Sequence, residues 1–154
     1  MQIIVNCLLT HEGKGLLLQK PRRNWFVCPG EKAEPYEHVQ EAIIREYKEE
    51  TAITLLSPDL KAVSLNIYQD GERILKQQMI FTFFATKFEG ENWDACYEGT
   101  LTWIPIENIL TQDMALGDRV ILTHILNHSG ILSGTFIYDA KENLVKHHFS
   151  IMNG

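Results

Sequence analysis

The sequence predicts an α+β fold in which helices flank a β-sheet. Two observations carry this prediction: most apolar segments have the pattern of strands, and about two stretches have helical spacing. The order of these elements along the chain is mixed, which is typical of this class. With 154 residues, 45% hydrophobic and 22% charged, the composition fits one domain over residues 1–154 with a single core.

The first half of the chain is predicted to hold a hairpin, a loop and the strongest helix. Residues 3–10 and 15–19 form the hairpin, through the turn at His11, Glu12 and Gly13. Residues 20–34 form the loop, which carries prolines and a glycine. Residues 37–51 form the helix, because Pro35 lies just before this stretch and nothing inside it breaks a helix.

The second half of the chain is predicted to be mainly strands. Residues 60–69 and 74–88 form a pair around the turn Asp70-Gly71, and residues 100–104 form a further strand that ends at Pro105. Residues 118–127 have helical spacing. Residues 133–139 and 144–151 form a closing hairpin.

Charge, hydropathy and cysteine content argue against a nucleic-acid-binding, membrane-spanning or secreted protein. The formal net charge of −6 argues against duplex nucleic acid as the main ligand, although a bound cation can still admit a small phosphorylated ligand. No apolar run approaches the roughly 20 residues of a membrane span, and the first residues have the pattern of a strand rather than a signal peptide. Cys7, Cys28 and Cys96 show no disulfide framework, so we expect a reducing cytoplasm.

Acidic residues interrupt the apolar face of the predicted helix. At about 100° per residue, Glu46 and Glu50 lie within about 20° of Val39 on the core-facing stripe, and Glu49 lies at its edge. Like charges four residues apart, near the negative end of a helix, are unfavourable. A divalent cation such as Mg²⁺ removes the conflict, whereas the alternative is a helix end that simply emerges into solvent. Arg45 either orients this acidic cluster or forms an ordinary surface salt bridge.

The same residues match a known family. The stretch over residues 30–53, GEKAEPYEHVQEAIIREYKEETAI, resembles the Nudix box, G-x5-E-x7-R-E-U-x-E-E-x-G-U, in which U is a bulky apolar residue. The matching positions are Glu37, Arg45, Glu46, Tyr47, Glu49, Glu50 and Ile53. The sequence departs from the box at both glycines, where it carries Glu31 and Ala52, and Tyr36 replaces a small residue before the first Glu.

The resemblance implies an α/β/α sandwich with a mixed β-sheet and assigns roles to the box. Glu46, Glu49 and Glu50 would hold Mg²⁺, with Mn²⁺ as a substitute, and the carbonyl of Gly30 would be a further ligand. Arg45 would orient Glu46, and Glu37 would brace the loop through Arg45.

A later acid is also expected in this family. Glu98 is the candidate, with Glu91 and Asp94 as competitors, and the general base is either Glu46 or Glu98.

Substrate contacts are predicted on both sides of the box. Lys20, Arg22 and Arg23 would complement phosphates, with Lys20 preferred, and Trp25 would either stack on a base or anchor the loop. Residues 114–149 look similar to eukaryotic MutT homologues that clear oxidised purine nucleotides. In those relatives an acidic pair reads the purine edge. Asp118 matches one of these acids but also suits a helix N-cap.

Half of that base-reading set is absent from this chain. Gly117 replaces the second acid, and Val27 or Phe26 replaces an Asn that contacts the base in the relatives. An oxidised-purine preference therefore does not follow from the resemblance. Elsewhere, His124 and His128 have the spacing of zinc ligands, but no third ligand accompanies them, and they are interpreted as surface residues.

These observations predict a Mg²⁺-dependent hydrolase that cleaves a phosphoanhydride bond with a metal-activated water. The expected partner is a small nucleotide: a nucleoside triphosphate or related polyphosphate, which includes modified purine and guanosine polyphosphates. Two alternatives belong to other classes. One is a non-catalytic nucleotide sensor that binds a protein partner, and the other is a structural α+β module with an incidental acidic helix.

Overall fold

The structure of the chain is a computed structural model that describes residues 1–153. Within that range the strands are β1 (Gln2–His11), β2 (Lys14–Gln19), β3 (Phe26–Val27), β4 (Thr54–Leu56), β5 (Asp59–Asp70), β6 (Arg73–Ala85), β7 (Lys87–Glu89), β8 (Ala95–Cys96), β9 (Gly99–Pro105), β10 (Ile131–Tyr138) and β11 (Leu144–Met152). The helices are α1 (Val39–Thr51), α2 (Ile106–Ile109) and α3 (Leu116–Asn127).

A nine-stranded mixed sheet forms the centre of the structure. Its strand order is β11-β10-β5-β6-β1-β2-β9-β8, with β3 beside β2, while β4 and β7 form a separate pair. The pairs β1–β6 and β5–β10 are parallel and the remaining neighbours are antiparallel. The predicted α+β class with a mixed sheet is confirmed.

Side chains that alternate along β1 and β2 divide the core into two layers. Val5, Cys7 and Leu9 pack with α1 on one face of the sheet. Leu8 and Leu17 pack with α2 and α3 on the other face. Helices therefore cover both faces, as in an α/β/α sandwich. Among residues 1–153, no helix has the length and apolar character needed to cross a bilayer.

Helix α1 begins two residues later than the sequence predicts. His38 is its N-cap: the His38 ring accepts a hydrogen bond from the Glu41 amide, and the Glu41 carboxylate accepts one from the His38 amide. The prediction of a helix over residues 37–51 was therefore wrong at its start. Glu37 lies in the preceding loop, which frees its side chain to face Arg45.

Two further expectations differ from the structure, and five short elements were not predicted. Helix α3 begins at Leu116 with Ala115 as its N-cap, so Asp118 lies in the first turn and is not a cap. The assignment of His124 to the surface was wrong, because this side chain is 4% exposed and its Nε2 lies 2.8 Å from the Gly130 carbonyl. The short elements α2, β3, β4, β7 and β8 were not predicted, because two to four residues carry no readable periodicity.

The C-cap of α1 has a left-handed backbone without a glycine. Ala52 has φ +73°, and its amide donates to the Lys48 carbonyl. A Cβ in this region costs about 1 kcal/mol or more. We expect Ala52→Gly to raise the free energy of unfolding by about 0.5–1 kcal/mol in urea denaturation, after the greater chain entropy of glycine is subtracted. Ala42→Gly, inside α1, is the control and should lower it; a loss at both positions would contradict the argument.

Candidate active site

A loop pressed against β1 positions one side of the site. The amides of Val5 and Cys7 donate to the carbonyls of Glu31 and Pro29, at 2.9 and 3.1 Å. Gly30 lies between them with φ +144°, and a Cβ at this position would come within 2.0 Å of the Val5 carbonyl oxygen. Only glycine fits here. This close approach places Gly30 beside the last turn of α1.

Glu50 is a buried carboxylate at that junction. Its side chain accepts a 2.6 Å hydrogen bond from the Gly30 amide, and the residue is only 8% exposed. Burial raises the pKa of Glu50 to about 7, against the opposing effect of this hydrogen bond. No Lys or Arg within residues 1–153 forms an ion pair with it. A buried carboxyl group that has no ion-paired side chain is well suited to bind a cation.

Arg45 gathers the other acids of the box. Its guanidinium binds both Glu37 oxygens, at 2.6 and 2.9 Å, and donates from Nη1 to Glu46 at 2.9 Å and to Glu49 at 3.0 Å. It also donates to the Lys32 carbonyl of the loop at 3.2 Å. The hydrogen bonds from Arg45 lower the pKa of Glu37 to about 2. One side chain thus links the loop to the acidic end of α1.

Glu46 and Glu49 differ in their surroundings. Glu46 faces inward, and its burial raises the pKa of its carboxyl group despite the hydrogen bond from Arg45. The Glu49 side chain is 60% exposed. The charge of Glu31, which replaces the first glycine of the box, also raises the pKa values of Glu46 and Glu50. Negative charge is therefore concentrated beside Gly30.

The donor set fits a hard divalent cation. All the groups are carboxylates, and Glu46 and Glu50 are held away from bulk water without a full complement of positive charge. In the part of the chain that the structure describes, no three His, Cys, Asp or Glu side chains converge into a ready ion cage. Instead, Arg45 donates hydrogen bonds to Glu46 and Glu49, and the Gly30 amide donates one to Glu50.

Lys20 and Glu98, both predicted as site residues, form an ion pair. The Lys20 ammonium lies 3.2 Å from a Glu98 oxygen although the residues are 78 positions apart. The charge of Lys20 also acts to lower the pKa of Glu50. For the competing acids Glu91 and Asp94, no side-chain hydrogen bond or ion pair is found within residues 1–153. Glu98 is thus tied to the cleft through Lys20.

A cleft of about 500 Å³ adjoins the acidic end of α1. Arg23 lies on its wall, with the guanidinium 4.9 Å from the centre of the Trp25 ring and 3.2 Å from Glu142. On another wall, Tyr68 and Tyr138 stack with ring centres 5.1 Å apart. The residues lining the cleft include Asn6, Lys20, Arg22, Arg23, Trp25, Gly30, Glu31, Asn66, Tyr68, Asp118, Tyr138 and Glu142.

Hydrogen-bond acceptors without donors occupy this cleft. The Oδ1 atoms of Asn6 and Asn66 are buried and have no partner within residues 1–153. Asp118 lines the same space, and burial raises the pKa of its carboxyl group to about 6. Sequence reasoning missed Asn66, although a polar residue facing inward on a strand is a signal that could have identified it. These groups are suited to a ligand that carries N–H donors.

Comparison with known proteins agrees with this geometry. The NUDIX domain family model matches residues 1–125. The chain is 42% identical over 147 residues to the Nudix hydrolase YvcI of Bacillus subtilis, covering 96% of this chain and 93% of the relative.

Solved structures show the same fold. A mutator MutT protein from Bacillus halodurans superposes with a TM-score of 0.94 at 39% identity, covering 97% of this chain and 98% of that one. The NUDIX domain of NrtR from Shewanella oneidensis, determined with ADP ribose, has a TM-score of 0.66 at 15% identity, covers 82% of this chain and 86% of its own, and shares the fold. Together with the family match, these similarities place the chain in the Nudix family as a MutT-like pyrophosphohydrolase, an enzyme that hydrolyses nucleotide derivatives.

Proposed function

We propose that this enzyme cleaves a phosphoanhydride bond of a nucleoside triphosphate or related nucleoside polyphosphate, with Mg²⁺ as cofactor and Mn²⁺ as a substitute. Nudix hydrolases generally use a divalent metal ion. One observation carries the choice of site: the buried Glu50 carboxylate, which has no ion-paired cation among residues 1–153, lies beside Glu46 and Glu49 at the end of α1. Oxygen ligands of this kind favour Mg²⁺.

Glu46, Glu49 and Glu50 would hold the ion, with the Gly30 carbonyl and Glu98 as further ligands. The ion would neutralise phosphate oxygens and acidify a bound water. Arg45 is a positioning residue that fixes Glu46, and Glu37 holds Arg45 in place through two hydrogen bonds. Glu46 and Glu98 are the candidate bases; the raised pKa of Glu46 favours it as the proton acceptor.

The nucleotide would lie in the adjoining cleft. Lys20 is the preferred phosphate contact, because it directly follows β2, lines the cleft and lies close enough to Glu50 for its charge to lower the pKa of that carboxyl group. Tyr138 and Glu142 belong to the C-terminal part of the chain, and both line the cleft. Their position supports residues 1–154 as one functional domain.

A cytoplasmic location is also part of this proposal. Cys7 and Cys28 are buried free thiols, and Cys96 is a half-buried free thiol. Burial raises the pKa values of Cys7 and Cys28, which makes both poor nucleophiles. Free thiols of this kind are typical of a reducing compartment.

An assay of phosphate release from mixed nucleoside triphosphates with Mg²⁺ tests the proposal. Glu49→Gln should lower turnover on the order of 100-fold or more, because a metal ligand is lost. Glu107→Gln, an exposed acid on α2, is the matched control and should leave turnover unchanged. Tight nucleotide binding with no turnover by the wild type would instead support the sensor alternative.

Base recognition by Asp118 should depend on pH. The ionised carboxylate can accept hydrogen bonds from the ring N–H and the amine of guanine, whereas the protonated group loses one acceptor. Because burial raises the pKa of Asp118 to about 6, the KM for a guanosine nucleotide should fall as pH rises through 6. A charge-assisted hydrogen bond corresponds to about a 10-fold change.

Steady-state kinetics between pH 5 and 8 measure this effect. Asp118→Asn should remove the fall in KM around pH 6 while the pH profile of kcat is retained. A wild-type KM that does not change across this range would contradict the assignment of Asp118.

A further inference from the structure

Strand β11 is an unprotected edge of the large sheet. It pairs with β10 on one side, and its other side has no partner within residues 1–153. From Val145 to Met152 every residue is exposed. Edge strands are usually protected by charges, prolines or bulges. Here one lysine, Lys146, and one bulge at the start of the strand are present.

Four of the eight exposed residues of β11 are apolar. Val145, Phe149, Ile151 and Met152 are 40–56% exposed. Phe149 and Ile151 also line an apolar groove of about 630 Å³ beside α3, where Leu116 is exposed as well. Together these side chains present on the order of 400 Å² of apolar surface, with Phe149, Ile151 and Leu116 around the groove and Met152 on the other face of the strand.

The order of side chains in β11 is complementary to itself. When two copies run antiparallel with His148 opposite His148, each Phe149 meets a His147 and each Lys146 meets a Ser150. Beyond them, Ile151 and Met152 meet Val145 and Leu144 of the other copy. Aromatic rings therefore pair with aromatic rings, polar groups with polar groups and aliphatic groups with aliphatic groups, and no lysine faces a lysine.

We propose that two copies of this chain associate through β11, in antiparallel pairing about a twofold axis at His148. The apolar side chains of the two strands would bury at most on the order of 800 Å², and the paired backbones and flanking residues would add to it. The total approaches the roughly 1,200 Å² at the lower end of stable interfaces. The open N–H and C=O groups of both edges would be satisfied at the same time. This inference is independent of the metal site and of the substrate.

Disulfide trapping tests the register. In the proposed pairing, the two Cα atoms at position 148 lie about 4.5–5.5 Å apart, within reach of a disulfide. Under mild oxidation, His148→Cys should give a covalent dimer of twice 17.7 kDa. Ser150→Cys is the matched control: its two copies lie about 13 Å apart, so it should stay monomeric, as should the wild type. Equal cross-linking of both variants, or none of His148→Cys, would overturn the register.

Variants that introduce charges of opposite sign at two facing positions test the β11 interface in solution. Light scattering should show the wild type as a dimer, and Phe149→Lys and His147→Glu should each weaken the dimer about 10-fold. The double variant places an introduced carboxylate opposite an introduced ammonium group twice and should recover dimer formation. Leu75→Lys, which removes a similarly exposed side chain on β6, should have no effect. A wild type that is monomeric at about 100 µM, or a dimer unaffected by either single variant, would overturn the proposal and leave this face to solvent or another partner.

Discussion

Glu50→Gln is expected to abolish turnover and to stabilise the metal-free protein. The wild-type carboxyl group is buried, and its pKa is raised to about 7. Ionisation therefore disfavours the folded state as pH rises from about 4.5 to 7, and the full cost remains above pH 7. Glutamine removes this cost and can still accept the hydrogen bond from the Gly30 amide. At pH 8 the gain should be about 2 kcal/mol, or roughly 5 °C in Tm.

Thermal denaturation in EDTA at pH 5 and pH 8 measures this effect. The variant should exceed the wild type at pH 8 and resemble it at pH 5, where the wild-type carboxyl group is protonated. Addition of Mg²⁺ should stabilise the wild type and have much less effect on the variant. A variant that is less stable than the wild type at pH 8 would show that the Glu50 carboxylate is not destabilising in the fold.

Arg45→Met is expected to lower both stability and activity. The guanidinium contacts Glu37, Glu46 and Glu49, so its removal leaves three acids close together without their cation. Breaking such a partly buried network costs about 3 kcal/mol. Because Glu46 loses the group that positions it, kcat should fall about 100-fold. Arg45→Lys should recover only part of either quantity, since a lysine cannot bind Glu37 through two parallel hydrogen bonds.

Urea denaturation and steady-state kinetics check these values. Glu34→Gln is the matched control, because Glu34 lies 3.5 Å from Arg45 and is largely exposed. It should change stability by less than about 0.5 kcal/mol. If the effects of Arg45→Met were equally small, Arg45 would be an ordinary surface residue.

Much of the fold and of the box could be predicted from the sequence, because those features are local. The helical wheel places Glu46 and Glu50 inward and Glu49 at the edge, and the structure has the same order of exposure. The long strands were predicted because each has its own apolar pattern. The start of α1 was misjudged because an N-cap histidine is uncommon.

Features that depend on tertiary contacts could not be predicted from the sequence. The ion pair between Lys20 and Glu98 joins distant segments, and no spacing rule predicts it. The insertion of β10 parallel to β5 brings Tyr138 onto Tyr68 and into the cleft. The ring of His124 is polar, yet α3 turns it toward Gly130, where the carbonyl oxygen lies 2.8 Å from its Nε2.

The position of the metal ion can be determined from a crystal structure with Mn²⁺, in which anomalous scattering locates the ion. We expect an anomalous peak among the carboxylates of Glu46, Glu49 and Glu50 beside Gly30, with the hydrogen bond from Arg45 to Glu46 retained. A peak elsewhere in the molecule, or no peak among these three carboxylates at millimolar Mn²⁺, would contradict this site.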